Sequence, residues 1–156
     1  MNNTEIREAK ESEHEILTEI SFASKKYWDY PAKYIDIWKD ELTITERYTK
    51  ENIVIVVEID KRVVGYYSVV DLPEDIELLG IKICKGFWLE HMFLLPEFIG
   101  QGYGTAMVSH MKEYCLSNKI PKVSVLADPN AKAFYEKKGF KYIKEYPSTI
   151  SGRTGC

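Results

Sequence analysis

Five consecutive β-branched apolar residues, Ile53-Val54-Ile55-Val56-Val57, constrain this chain more than any other feature. A half-solvated strand alternates apolar and polar side chains. An unbroken run has no polar face, so the strand it forms must be covered on both sides. Around it the pattern predicts further elements. Asp60-Lys61 turns the chain into a second strand, Arg62 to Val70. Gly86 to Leu95 reads as another strand, stopped by Pro96, and Gly102 to Ser117 as a helix with Tyr103, Met107, Met111, Tyr114 and Cys115 facing inward. Ser12-Glu13-His14-Glu15 reads as a capping box opening a helix from about Glu13 to Trp28, its inner face carrying Ile16, Ile20, Ala23 and Tyr27. Leu72 to Lys85 fits an edge strand or a loop. Lys122 to Ala127 and Phe140 to Tyr146 read as strands, and Ala131 to Lys138 as a short helix stopped by Gly139. The resulting order mixes helices and strands, as an α/β sheet requires. With 156 residues and no repeat or linker, a single domain over 1–156 is expected.

Composition removes several classes of function. The chain has 21 Lys+Arg against 24 Asp+Glu, which argues against a nucleic-acid partner, since binding there needs a basic surface. No stretch reaches the roughly 18 apolar residues of a membrane span. The N-terminus shows no basic region followed by an apolar run, so a cytoplasmic location is expected and no membrane partner. Cys84, Cys115 and Cys156 are odd in number and widely spaced, which is no disulfide framework. His14, His91 and His110 form no HxxxH pattern and CxxC is absent, so no metal site is expected.

The stretch Leu94-Leu95-Pro96-Glu97-Phe98-Ile99-Gly100-Gln101-Gly102-Tyr103-Gly104-Thr105 joins a strand to an amphipathic helix through a glycine-rich turn. Amides at a helix start lack partners within the helix and sit at its positive end, which suits a phosphate or pyrophosphate. No Lys-Ser/Thr follows the last glycine, so this is not a Walker loop, and the spacing is not GxGxxG. The turn resembles the acyl-coenzyme A signature of the GNAT N-acetyltransferase superfamily, Gln/Arg-x-x-Gly-x-Gly/Ala. Gly102 and Gly104 fall on its glycines, while Ile99 stands where the family prefers Gln or Arg. A second segment, Asp128 to Phe140, resembles the family's Asn-x-x-Ala-x-x-Phe-Tyr-x-x-x-Gly-Phe.

This resemblance implies a mixed, mostly antiparallel central sheet flanked by helices, with a splayed strand pair holding acyl-coenzyme A. It implies acceptor-side helices over about 13–50 and a coenzyme-binding core over about 86–140. Acetyl-coenzyme A would be the co-substrate, with no metal. Its contacts would come from Phe93, Leu94, Gly100, Gln101, Gly102, Gly104, Thr105 and Asn130, mainly through backbone groups. The resemblance also admits a homodimer.

Acetyl transfer from a thioester needs a neutral amine, a donor to the oxyanion and a proton for the departing thiolate. Glu90 lies in the mostly apolar run Phe87 to Phe93, where desolvation would raise its pKa toward that of a general base. His91 is its competitor, and strand alternation puts the two on opposite faces. Tyr135, a phenol of pKa about 10, matches the family's thiolate acid. Asn130 could equally cap its helix. The aromatic-rich region Phe22 to Tyr48 would form the acceptor wall, with Tyr27, Trp28 and Tyr30 as substrate-lining residues. Its interspersed carboxylates would favour a cationic amine. The implied function is N-acetylation of a small-molecule primary amine by direct attack in a ternary complex. Acetylation of a peptide or protein amine, and a non-catalytic acyl-coenzyme A sensing module, are the alternatives.

Overall fold

The computed structural model describes residues 3–27, 39–78, 81–125, 137, 144–145 and 154–155. Its strands are β1 (Thr4–Glu8), β2 (Ile53–Ile59), β3 (Arg62–Leu72), β4 (Ile76–Leu78), β5 (Ile81–Ile83), β6 (Gly86–Leu94), β7 (Val123–Val125), β8 (Lys144–Glu145) and β9 (Thr154–Gly155). Its α-helices are α1 (His14–Tyr27), α2 (Lys39–Leu42), α3 (Glu46–Glu51) and α4 (Tyr103–Ser117). Single 3-10 turns occupy Glu11–Glu13 and Pro96–Phe98. The main sheet has the order β1-β2-β3-β6-β7. The chain forms two compact units: Met1–Ser68 with His91–His110, and Val69–Glu90 with Met111–Cys156.

In the first unit the β-branched run behaves as its composition dictates. Val54, Ile55, Val56 and Val57 are all buried, so β2 is covered on both faces. The turn to β3 has positive φ at Asp60 (48°) and Lys61 (69°), the type I′ geometry whose twist matches a two-residue hairpin. β1 pairs antiparallel with β2, with Thr4 opposite Ile59 and Glu8 opposite Ile55. That register sets Glu5 against Glu58, a like-charge pair. Arg7 offsets it: the guanidinium donates to Glu58 at 2.9 Å and, through both of its terminal nitrogens, to the Glu13 carboxylate at 3.0 and 2.9 Å. The Arg7 bonds thereby hold Glu13 below the usual carboxylate pKa.

This pairing relocates the expected capping box. Glu13, rather than Glu15, accepts the amide of Lys10 at 2.8 Å, because Arg7 orients its carboxylate. The buried face of α1 also differs from the expected one. Leu17, Ile20, Ser21 and Ser24 are buried, whereas Ile16 is 43% and Tyr27 50% exposed. The helix is turned by about one residue because a serine belongs inside: Ser21 Oγ is hydrogen-bonded to the hydroxyl of fully buried Tyr66.

Tyr66 and its neighbour Tyr67 point to opposite faces of β3, and both are completely buried. Tyr66 meets α1 through Ser21, and Tyr67 meets α4 through His110 Nδ1 at 2.8 Å. Strand β3 therefore sits between a helix on each side. Gly65 is the close approach between strands: a Cβ there would lie 2.8 Å from the carbonyl oxygen of Phe93 and 2.6 Å from Leu94 Cδ2. The amide of Leu95 donates to Val64 O at 2.8 Å on the same edge.

In the second unit β6 pairs parallel with β7, from Phe87 opposite Val123 to Leu89 opposite Val125. The stretch that admitted an edge strand or a loop is an antiparallel ribbon of β4 and β5, with Ile76 opposite Ile83 and Leu78 opposite Ile81. Helix α4 ends at Ser117, and two residues on Lys119 has a left-handed φ of 58°. There Ile120 N–H donates to Cys115 O at 2.9 Å, closing the helix as a Schellman-type cap does. Among the described residues no helix is long and apolar enough to cross a membrane.

Candidate active site

Strand β6 delivers the chain into the glycine turn. After Leu94 come Leu95, the 3-10 turn Pro96–Phe98, and then α4 at Tyr103. Gly100 and Gly102 have φ of 83° and 90°, values that an L side chain rarely adopts. A Cβ at either would meet nothing within 4 Å, so the glycines are required by backbone conformation and leave open space beside the turn. Gln101 Nε2 donates to Glu97 O at 2.9 Å, holding the turn across its base. Phe98 packs edge-on to Tyr103 at 6.0 Å.

Gly102 accepts the first helical hydrogen bond, from Ala106 N–H at 3.1 Å, and so occupies the N-cap. A Ser, Thr, Asp or Asn here would turn its side-chain oxygen onto the first-turn amides. Glycine has no such oxygen, and the first turn contains no acidic residue. The amides of residues 103–105 stand at the positive end of a 15-residue helix, a setting that suits an anion. Gly100, Gln101, Gly102 and Thr105 are exposed, and Gly104 is half-buried. The turn fits a pyrophosphate.

The remaining expected site residues divide between placed and undescribed. Phe93 and Leu94 are half-buried at the end of β6, past the last described pairing with β7. Glu90 is exposed: on β6 it alternates with buried Leu89 and His91, so the fold does not supply the desolvation expected from the apolar run. His91 is only 3% exposed. Its ring lies 5.4 Å from that of Phe93 and 6.1 Å from those of Tyr48 and Tyr66. Tyr27 closes α1 and is exposed. Trp28, Tyr30, Asn130 and Tyr135 lie outside the described residues.

The structure adds a group that the sequence reading passed over. On the α1 side of the sheet, Lys25 Nζ stands 5.9 Å from the centroid of the Phe93 ring. Tyr48 of α3 is half-buried against His91, and its hydroxyl donates to Ser68 Oγ at 2.9 Å. The signals were present: Ser21 and Lys25 are one helical turn apart, and His91 and Phe93 share a strand face. Of the cysteines, Cys115 is half-buried and burial pushes its thiol pKa up, the wrong direction for a thiolate nucleophile. Among the described residues no group of three or more His, Cys, Asp or Glu is arranged to hold a metal ion.

A mixed sheet whose strand runs through a glycine-rich turn into a helix makes this an α/β protein with its candidate site at the head of α4. The family follows from comparison: residues 50–142 match the acetyltransferase (GNAT) domain model. The chain belongs to the GNAT acetyltransferase family and is an acyltransferase. Solved structures share the fold. PaiA N-acetyltransferase from Thermoplasma acidophilum, in complex with coenzyme A, is 17% identical with a TM-score of 0.73, the match covering 98% of this chain and 96% of that one. A GNAT family acetyltransferase from Brucella melitensis, in complex with acetyl-CoA, is 18% identical with a TM-score of 0.63, over 89% and 83% of the two chains. A transcriptional regulator from Bacillus halodurans is 22% identical with a TM-score of 0.63, over 95% and 99%. A comparison with curated proteins gave no match.

Proposed function

We propose that this protein transfers the acetyl group of acetyl-coenzyme A to a primary amine of a small molecule, by direct attack in a ternary complex. The observation that carries the reading is the glycine turn at the head of α4, where Gly100 and Gly102 hold positive φ and Gly102 accepts the first helical hydrogen bond. Acetyl-coenzyme A supplies a thioester whose carbonyl accepts the amine and whose thiolate leaves. The chain's own groups do the rest. The amides of Gly100 to Thr105 bind the pyrophosphate, and Asn130 adds a side-chain contact to the coenzyme. Backbone groups of Phe93 and Leu94 hold the pantetheine arm and orient the thioester carbonyl. Glu90, exposed on β6, takes the amine proton through water. Tyr135 gives its phenolic proton to the thiolate, and Tyr27, Trp28 and Tyr30 line the acceptor's path.

The test is calorimetric titration with acetyl-coenzyme A, followed by thiol release with a panel of small amines and peptides. Binding together with thiol release on a small amine is the expected result. Binding with no thiol release on any acceptor would replace the enzyme with a sensor, and release with peptides alone would move the acceptor to a polypeptide amine.

A further inference from the structure

The glycine turn supplies backbone amides but no positive side chain. From Leu95 to Thr105 the chain carries no Lys or Arg, and its one formal charge is the carboxylate of Glu97. Acetyl-coenzyme A brings a doubly ionised pyrophosphate and, on its ribose, a 3′-phosphate. The cation that the fold carries to this turn comes from a different strand. Leu95 N–H donates to Val64 O at 2.8 Å, and Gly65 lies against Phe93 and Leu94. The two segments therefore run antiparallel. Two residues on from this contact Arg62 stands beside Glu97, with Nη2 3.9 Å from Oε1. The Arg62 Cζ lies over the Phe98 ring, 5.9 Å from its centroid. Phe98 in turn packs edge-on to Tyr103, the first residue of α4. A path of contacts thus joins the guanidinium to the head of the helix.

Two features leave that guanidinium open to a ligand. The pair with Glu97 is too long for a hydrogen bond, and its side chains are 60% and 59% exposed, so solvent screens it and it holds little energy. The Phe98 ring attracts the cation through its face, which leaves the planar N–H fork to bond elsewhere. We propose that Arg62 binds a phosphate of the coenzyme, adding to the amides of the glycine turn the positive side chain that the turn itself lacks. This rests on the reading above, in which the turn holds the pyrophosphate. Phosphate oxygens accept two parallel N–H bonds from the fork, which Glu97 at 3.9 Å does not. Glu97 then acts against binding, as a like charge beside the phosphate, and Arg62 offsets it. Arg62 is thereby a specificity residue for the donor: it favours a thioester that carries phosphate over one that does not.

The experiment is calorimetric titration of the whole chain with acetyl-coenzyme A and with its 3′-dephospho form, at low and high salt. Arg62→Gln should weaken binding of acetyl-coenzyme A about tenfold, as the loss of one charge-assisted hydrogen bond does, with the urea midpoint of the free protein unchanged. The loss should shrink as salt is raised, because the contact is exposed. Arg62→Lys should keep part of the affinity, since the charge stays and the fork goes. Glu97→Gln should move the other way and tighten binding. Equal Arg62→Gln losses on the two forms place the contact on the pyrophosphate, and a loss confined to acetyl-coenzyme A places it on the 3′-phosphate; either supports the proposal. An Arg62→Gln affinity within about twofold of wild type, a loss that about 0.5 M salt leaves unchanged, or a Glu97→Gln loss as large as that of Arg62→Gln overturns the proposal and leaves the glycine-turn reading intact. Wild-type protein that fails to bind acetyl-coenzyme A overturns that reading, and this proposal with it.

Discussion

Replacing Gly65 by alanine tests how tightly β3 and β6 are pressed together. Two effects oppose one another. Alanine restricts the unfolded chain, which alone stabilises by about 0.4–1 kcal/mol. Its Cβ, however, would lie 2.8 Å from the Phe93 carbonyl oxygen and 2.6 Å from Leu94 Cδ2. Ordinary contact begins at 3.4 Å, so the two approaches fall short by about 0.6 and 0.8 Å. Leu94 can rotate its methyl away. The Phe93 oxygen belongs to a strand and cannot move without displacing β6. Overpacking of this kind costs about 1–3 kcal/mol, so the contact outweighs the entropy and the net loss is about 1–2 kcal/mol. For a chain of this size that lowers Tm by roughly 2–8 °C. Thermal and urea unfolding measure it, and an unchanged m-value would assign the change to the native contact. Adding Leu94→Ala relieves only the shorter contact, so the double variant should not recover the Gly65→Ala loss. Because Phe93 and Leu94 are proposed to hold the pantetheine arm, affinity for acetyl-coenzyme A should fall as well. A Gly65→Ala protein as stable as wild type would refute the reasoning, since it would mean that β6 yields freely.

Other substitutions probe separate features. Glu13→Gln should lose about 1–2 kcal/mol at neutral pH by breaking the charge-assisted bonds to Arg7. The folded-state pKa of Glu13 is depressed, so its contribution is complete above the ordinary carboxylate value and lost as pH falls through the folded one. The difference between wild type and variant in urea midpoint should therefore shrink below about pH 4.5. Lys119→Gly, at a left-handed helix terminus, should raise stability by about 0.5–1 kcal/mol, read as a higher urea midpoint. Glu90→Gln should lower kcat/KM most at pH values where the amine must lose a proton; an identical pH–rate profile would remove its role as base. Tyr135→Phe should cut turnover and leave coenzyme affinity nearly intact, as calorimetry beside steady-state kinetics would show.

What was legible in the sequence was what local chain chemistry decides. The β-branched run of β2 needs no partner to declare itself buried, and the glycines at 100 and 102 announce a turn because few other residues adopt their φ. Features set by distant partners were not legible. Ser21 and Ser24 look like a solvated face until Tyr66 arrives from a strand 45 residues away. Glu13 rather than Glu15 closes the first turn because Arg7, reaching across from β1, holds it. Leu72 to Lys85 fits an edge strand or a loop until Ile76 and Leu78 pair with Ile83 and Ile81. The exposure of Glu90 depends on which side of β6 is covered, which its apolar neighbours do not reveal.

The glycine at the head of α4 has a consequence for the protein as a whole. Most helices carry their own cap, so their ends are as stable empty as occupied. Here, under the proposed function, the cap is a metabolite. A ligand at a hundred times its Kd adds about 2.7 kcal/mol to the folded state, a sizeable fraction of what holds a small protein together. The supply of acetyl donor would then set how long each copy resists unfolding and proteolysis, as well as how fast it turns over.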